Sequence, residues 1–176
     1  MQLHRGNLFL VGLPGAGKST LGRQLARRLG KPFIDADTEL EARCGVSIPT
    51  IFEIEGEPAF RDREEAVIAD LTVQSGIVLA TGGGAVLRAL NREHLKQNGS
   101  VVYLHATPQM LWHRVRHARH RPLLNAPDPL ARLHELYQVR DALYREVADD
   151  VIESERGEVA RFAARLIEDQ RNALRA

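Results

Sequence analysis

A chain of 176 residues, 44% hydrophobic and 27% charged, has the composition of one folded domain with its own core, not of a disordered segment. A net charge of +1 gives no case for a nucleic-acid or membrane-surface partner, and one cysteine, Cys44, excludes an internal disulfide and fits a reducing cytoplasm. The apolar run near the start, Leu8 to Val11, is too short for a signal segment or a membrane span.

In chain order, Leu8 to Val11 is a buried strand bounded by Asn7 and Gly12. Lys18 to Leu29 carries Leu21, Leu25 and Leu29 at helical spacing, and Gly30 stops it. Phe33-Ile34 is a second strand running into Asp35-Ala36-Asp37, with a helix to about Arg43 that Gly45 breaks. Two more helices are expected, Ser47 to Glu55 and Glu57 to about Gln74. Ile77 to Ala80 is a third strand, followed by Thr81-Gly82-Gly83-Gly84, and Ser100 to Leu104 a fourth. Pro108 to about Ala118 is helical, with proline in the first turn. Asp128 to Ala148 is a long amphipathic helix with Asp128 as its N-cap. Val151-Ile152 is a fifth strand, and Glu158 to about Arg171 the last helix. Short apolar strands alternating with helices predict an α/β fold: a parallel sheet covered by helices on both faces, with ligands at the carboxyl ends of the strands.

Gly12-Leu13-Pro14-Gly15-Ala16-Gly17-Lys18-Ser19 has the P-loop pattern, strand before and helix after. Glycines let backbone N–H groups turn onto a phosphate, and the helix start adds its positive end. Lys18 would bridge the β- and γ-phosphates and the Ser19 hydroxyl would sit on Mg²⁺. A regulatory GTPase fits poorly, because the chain has no Asn-Lys-x-Asp element and no apolar strand ending in a downstream Walker-B-type aspartate. A nucleotide kinase, or a nucleotide-gated binding protein with no acceptor chemistry, is separated from other kinases only by the acceptor site.

Asp35 and Asp37 read either as a carboxylate pair for Mg²⁺ waters and an alcohol proton, or as a helix-capping pair. Arg61 and Glu64 lie three apart on a helix. A surface ion pair is one reading; the place of Glu64 in the stripe Phe60, Val67, Leu71 argues for a pocket wall. Arg140 sits in the middle of the stripe Leu133, Leu136, Tyr137, Tyr144, Val147, where an unpaired guanidinium is costly. It requires an anion, either a core carboxylate or, better matched to its fork, a ligand carboxylate. Gly82-Gly83-Gly84 after a strand is a flexible turn or a place of close approach to a ligand. The run from His113 to Arg121, HRVRHARHR, is a solvated helix face or part of a basic lid. Too short and without interleaved aromatics, it makes no case for nucleic acid, and its histidines have no metal spacing.

Together, Gly12 to Thr20, Asp35-x-Asp37, Gly45-x-Ser47-Ile48, Ile51-Phe52, Gly56-Glu57-x-x-Phe60-Arg61-x-x-Glu64, Gly82-Gly83-Gly84, Arg121-Pro122-Leu123-Leu124 and Tyr144-Arg145 resemble the shikimate kinases in order and spacing. The glycine triplet, the Phe-Arg-x-x-Glu and the Arg-Pro-Leu-Leu are the specific ones. The resemblance implies a single three-layer P-loop kinase domain over 1–176. It has a five-stranded parallel sheet, a substrate-binding segment at about 35–64 and a lid at about 113–127. It implies phosphorylation of the 3-hydroxyl of shikimate by ATP with Mg²⁺, a step toward chorismate and the aromatic amino acids, in a cytoplasmic monomer; a gluconate-type kinase is the alternative. It implies that Gly15, Ala16, Gly17, Lys18, Ser19, Thr20, Arg114, Arg121 and Arg156 bind ATP. The acceptor falls to Asp37, Arg61, Gly82, Gly83, Gly84 and Arg140. Lys18, Asp37 and Arg121 are the catalytic residues; the metal goes to Ser19 directly and to Asp35 through water.

Overall fold

The computed structural model describes residues 1–116, 126–173 and 175. Its strands are β1 (Leu8–Val11), β2 (Phe33–Asp35), β3 (Val78–Ala80), β4 (Ser100–His105) and β5 (Asp150–Glu153). All pairings are parallel, in the order β2-β3-β1-β4-β5. Every residue of β1, β3 and β4 is buried, as expected of strands covered on both faces. The helices are α1 (Lys18–Leu29), α2 (Ala36–Cys44), α3 (Ile48–Thr72), α4 (Ala89–Asn98), α5 (Pro108–Val115), α6 (Pro129–Val147) and α7 (Arg156–Ala173). Helix α1 packs on β2 and β3 and against α7; α4 and α6 pack on β4 and against each other. The sheet and helices share one apolar cluster.

The expected elements are present, with two differences. The two helices expected from Ser47 to Gln74 form one span, α3, broken at Gly56, whose φ of 82° and ψ of 173° interrupt the helical path. Glycine allows that positive φ at no steric cost. Helix α4 was not anticipated. Its buried positions are Asn91, Leu95 and Asn98, so it has no apolar stripe to reveal it. A helix there is nonetheless what a parallel connection from β3 to β4 calls for.

Asn7 joins three segments below the sheet. Its Nδ2 donates to the carbonyls of Gln74 at 2.7 Å and Asn98 at 2.8 Å, and its Oδ1 accepts from Ile77 N at 2.9 Å. The side chain is fully buried, so water cannot replace these bonds. Asn7→Ala should therefore lower the unfolding free energy by roughly 2–4 kcal/mol, with turnover per folded molecule retained. Urea melts and specific activity check it; a loss under about 0.5 kcal/mol would show that these carbonyls find other donors.

Candidate active site

The P-loop runs from the end of β1 to the first turn of α1. A Cβ on Gly12, at φ 147°, would lie 2.6 Å from the carbonyl oxygen of Leu104, so no side chain fits between the loop and β4. Lys18 is buried, and its Nζ donates to the carbonyls of Gly12 at 2.7 Å and Leu13 at 3.0 Å. Ser19 Oγ donates to Asp35 Oδ2 at 2.5 Å. The other oxygen of Asp35 accepts from the backbone N–H groups of Asp37 and Thr38 at 3.1 and 3.2 Å. Asp35 is thus both the N-cap of α2 and the partner of the P-loop serine. A hydroxyl and a carboxylate at the positive end of a helix are hard oxygen donors that fit Mg²⁺. Gly15, Gly17, Lys18, Ser19 and Thr20 line a cleft of 460 Å³ together with Asp35, Asp37 and Gly83. A larger surface groove, 740 Å³ between α1 and α7, is lined by Arg28, Glu168 and Arg171 and includes none of the motif residues.

The opposite end of the loop is tied to α5 and β5. Arg114 donates to Ala16 O at 3.3 Å and to Ser154 Oγ at 2.5 Å, and also to the Ser154 carbonyl; Ser154 Oγ donates to Ala16 O. Arg156 is exposed at the start of α7, two residues past that contact.

The three glycines after β3 meet three different parts of the chain. A Cβ on Gly82 would lie 2.6 Å from Asp37 Oδ1, and one on Gly83 would lie 2.7 Å from Pro14 Cδ in the P-loop. One on Gly84 would overlap the guanidinium of Arg61. The turn is a place of close approach, not a loose connection. Arg61 Nη1 donates to Glu64 Oε2 at 2.7 Å, and Glu64 is only 3% exposed, so the pair is a pocket wall and not a surface ion pair. Arg61 also reaches Glu57. Arg140 lies close enough to act on both Glu64 and the Tyr144 hydroxyl, and its Nε is buried without a partner. Asp37 lines a second cleft, 580 Å³, with Ile48, Pro49 and Phe52, so its carboxylate stands where the phosphate cleft and an apolar-walled cleft meet.

A match to the shikimate kinase family model spans residues 14–171. The chain belongs to the shikimate kinase family. A shikimate kinase of Cupriavidus pinatubonensis is 63% identical over 163 residues, covering 93% of this chain and 85% of that one. A solved shikimate kinase from Acinetobacter baumannii, in complex with shikimate, is 46% identical with a TM-score of 0.86, covering 95% of this chain and 93% of that one. A gluconokinase from Sinorhizobium meliloti, 20% identical with a TM-score of 0.52 and covering 97% of this chain and 98% of that one, shares the fold alone.

In this member of the family most of the expected residues converge, while Arg114 lies behind the loop on Ala16 and Ser154 and Arg156 is exposed beyond it. Lys18, Ser19, Asp35, Asp37, Arg61 and Gly82 to Gly84 meet around the clefts, and Arg140 faces the Glu64 side. Arg121, and with it Arg121-Pro122-Leu123-Leu124, lies outside the described residues, as does most of the lid expected at about 113–127. The Tyr144 hydroxyl, which donates to Gly83 O at 2.5 Å, escaped the sequence reading as a polar contact. Its signal was a tyrosine, not a phenylalanine, four residues after Arg140 on a buried stripe.

Burial pushes Asp37 from 3.8 up to about 6; Asp35, Glu64 and Glu41 add to the rise, and Lys18 opposes it. Burial likewise raises Glu64, against the pull of Arg61 and Arg140. A carboxyl group whose folded pKa lies above its unfolded value binds its proton more tightly when folded. The ionised form then costs stability in full above about pH 6, and the cost vanishes below about pH 4. Asp37→Asn should thus stabilise the metal-free, ligand-free protein at about pH 7.5 by on the order of 1–2 kcal/mol and leave it unchanged at about pH 4. Denaturant melts in chelator at both pH values test this, and equal stability of variant and wild type at the higher pH would contradict it.

Proposed function

We infer that the chain is a shikimate kinase, transferring the γ-phosphoryl group of ATP to the 3-hydroxyl of shikimate to give shikimate 3-phosphate and ADP. The observation that carries the reading is the position of Asp37. It borders both the P-loop cleft and the apolar-walled cleft, and it touches the glycine turn that ends against Arg61. A phosphate site, an alcohol-holding carboxylate and a carboxylate-gripping arginine thus stand side by side.

In this reading Gly15 to Thr20 bind the phosphates through backbone N–H groups, and Lys18 exchanges its carbonyl partners for β- and γ-oxygens. Asp37 holds the acceptor hydroxyl and takes its proton as the oxygen bonds to phosphorus and the bond to the β-phosphate oxygen breaks. Arg61 and Arg140 grip the acceptor carboxylate, and Gly82 to Gly84 lie against its ring. Ser19 would hold Mg²⁺ directly and Asp35 through water; bound there, the ion would neutralise charge on the transferring group. Arg121 is assigned to the transferring phosphate, and Arg114 and Arg156 to the nucleotide's far end. The reading treats residues 1–176 as one kinase domain, with a substrate-binding segment at about 35–64 and a lid at about 113–127. It takes the enzyme to be a cytoplasmic monomer acting on small molecules. Coupled ADP release with shikimate, gluconate and nucleoside monophosphates in turn tests it; a preference for either of the latter two would overturn it.

Two substitutions separate the donor and acceptor halves. Lys18→Ala should keep its melting temperature and lose essentially all turnover, since a point charge on the β- and γ-phosphates has gone. Near-normal turnover in a folded variant would remove Lys18 from the mechanism. Arg140→Ala should weaken shikimate binding by roughly 2–5 kcal/mol, leave ATP affinity alone and hold the apo melting temperature, because Glu64 keeps Arg61 as its partner. Calorimetric titrations with each ligand read this out, and a destabilised variant with unchanged shikimate affinity would make Arg140 a core residue only.

A further inference from the structure

Tyr144 stands on α6 one turn beyond Arg140 and is fully buried. Its ring packs on Tyr103 of β4, the centroids 4.9 Å apart. A phenylalanine would fill that place as well, so the packing alone does not account for the hydroxyl. The hydroxyl donates to the carbonyl of Gly83, 61 positions away in the chain. Arg140 stands one turn back on the same face of α6, close enough for its charge to act on that hydroxyl. The hydroxyl therefore ties the glycine turn of the acceptor site to the helix that carries Arg140. Burial raises the Tyr144 pKa, so the hydroxyl keeps its proton and its role as donor. The peptide plane adds a directional effect. With the Gly83 carbonyl held toward α6, the Gly84 N–H of the same trans peptide points the opposite way. The segment after the turn is fixed separately, by Asn91 Nδ2 on Ala85 O and Arg92 Nη1 on Val86 O, both at 2.9 Å.

We propose that Tyr144 is a positioning residue of the acceptor site: its hydroxyl sets the orientation of the Gly83–Gly84 peptide toward the acceptor and its distance from the helix that carries Arg140. The proposal rests on the shikimate kinase reading. It differs from a packing role in one respect: losing the oxygen while keeping the ring should affect one substrate and not the other.

The test compares full-length wild type, Tyr144→Phe and Tyr103→Phe. Tyr103→Phe is the control, because it removes a neighbouring hydroxyl that donates to Asp141 at 2.9 Å and touches neither the turn nor Arg140. Steady-state kinetics give KM for each substrate and kcat, calorimetry gives Kd for shikimate, and melts give stability. Tyr144→Phe should raise KM and Kd for shikimate on the order of tenfold, with KM for ATP within about twofold of wild type and a smaller loss in kcat. Tyr103→Phe should leave shikimate binding unchanged even where it lowers the melting temperature. In labelled protein the Gly84 amide resonance should move in Tyr144→Phe and stay in Tyr103→Phe. Unchanged shikimate binding in Tyr144→Phe would overturn the proposal. So would equal weakening toward ATP and shikimate, or an equal effect in the control, since each marks loosened packing. Wild-type activity on shikimate in the same assay reports on the functional reading independently of the variant ratios.

Discussion

The site depends on the register of three parallel strands. Leu10 of β1 and Asp35 of β2 are both aligned with Ala80 of β3. Two residues beyond each of these lie Gly12, Asp37 and Gly82. Strand pairing thus brings the start of the P-loop, Asp37 and the glycine turn into one row, with the turn in the middle. The middle position leaves no room for side chains: what a Cβ at Gly82, Gly83 or Gly84 would strike is Asp37, Pro14 or Arg61. A slip of one residue in the β2–β3 pairing would turn Asp37 away from the turn, and one in the β1–β3 pairing would move the P-loop away from it. The fully apolar β1 and β3 therefore do more than form a core, because their burial on both faces makes a slip costly.

That geometry brings charge together where water is scarce. Asp37, Asp35 and Glu64 lie near Lys18, Arg61 and Arg140, and two of the carboxyl groups are pushed upward by burial despite the cations beside them. A buried pair such as Arg61–Glu64 contributes little net stability, since desolvation offsets attraction. What it supplies is a guanidinium held in place before any acceptor arrives. The site is thus locally unfavourable and is held in shape by the surrounding fold, including the fully buried Asn7 bonds at the opposite end of the sheet. Such an arrangement suits a group that must be ready to lose a competing interaction when a ligand binds.

Much of this was legible in the sequence because it resides in short-range patterns. The P-loop, the strand limits and the place of Arg140 in an apolar stripe all follow from spacing. The choice between a capping and a catalytic reading of Asp35 and Asp37 did not, because the cap and the link to the P-loop share one side chain: one Asp35 oxygen caps α2 and the other accepts from Ser19. Helix α4 was hidden because its buried face is built from one leucine and two asparagines, whose side-chain amides donate to backbone carbonyls, Asn91 to Ala85 O and Asn98 to His94 O, and form no apolar stripe. The glycine triplet announced a close approach, but not to what; Pro14, Asp37 and Arg61 are distant in sequence and meet it only through the sheet order. Contacts of that kind, the Tyr144–Gly83 bond among them, carry no local signal.

Helix α6 shows how a long-range site is fixed by a local element. Arg140 has no strand register to place it, and it follows a segment outside the described residues. Its helix is instead anchored on either side of it. Tyr137 OH meets His105 Nε2 at 3.0 Å, and Tyr144 OH meets Gly83. His105 is held from the opposite side by Glu153 of β5. Tyr137 is three residues before Arg140 and Tyr144 four after it, so both ties share one face of the helix with Arg140. A rigid helix tied both before and after a residue leaves the guanidinium only its own side-chain freedom. The cleft region is therefore bounded by two independent frames, the strand register for Asp37 and the glycines and the α6 ties for Arg140, and the Tyr144 bond to Gly83 is the point at which the second is set against the first.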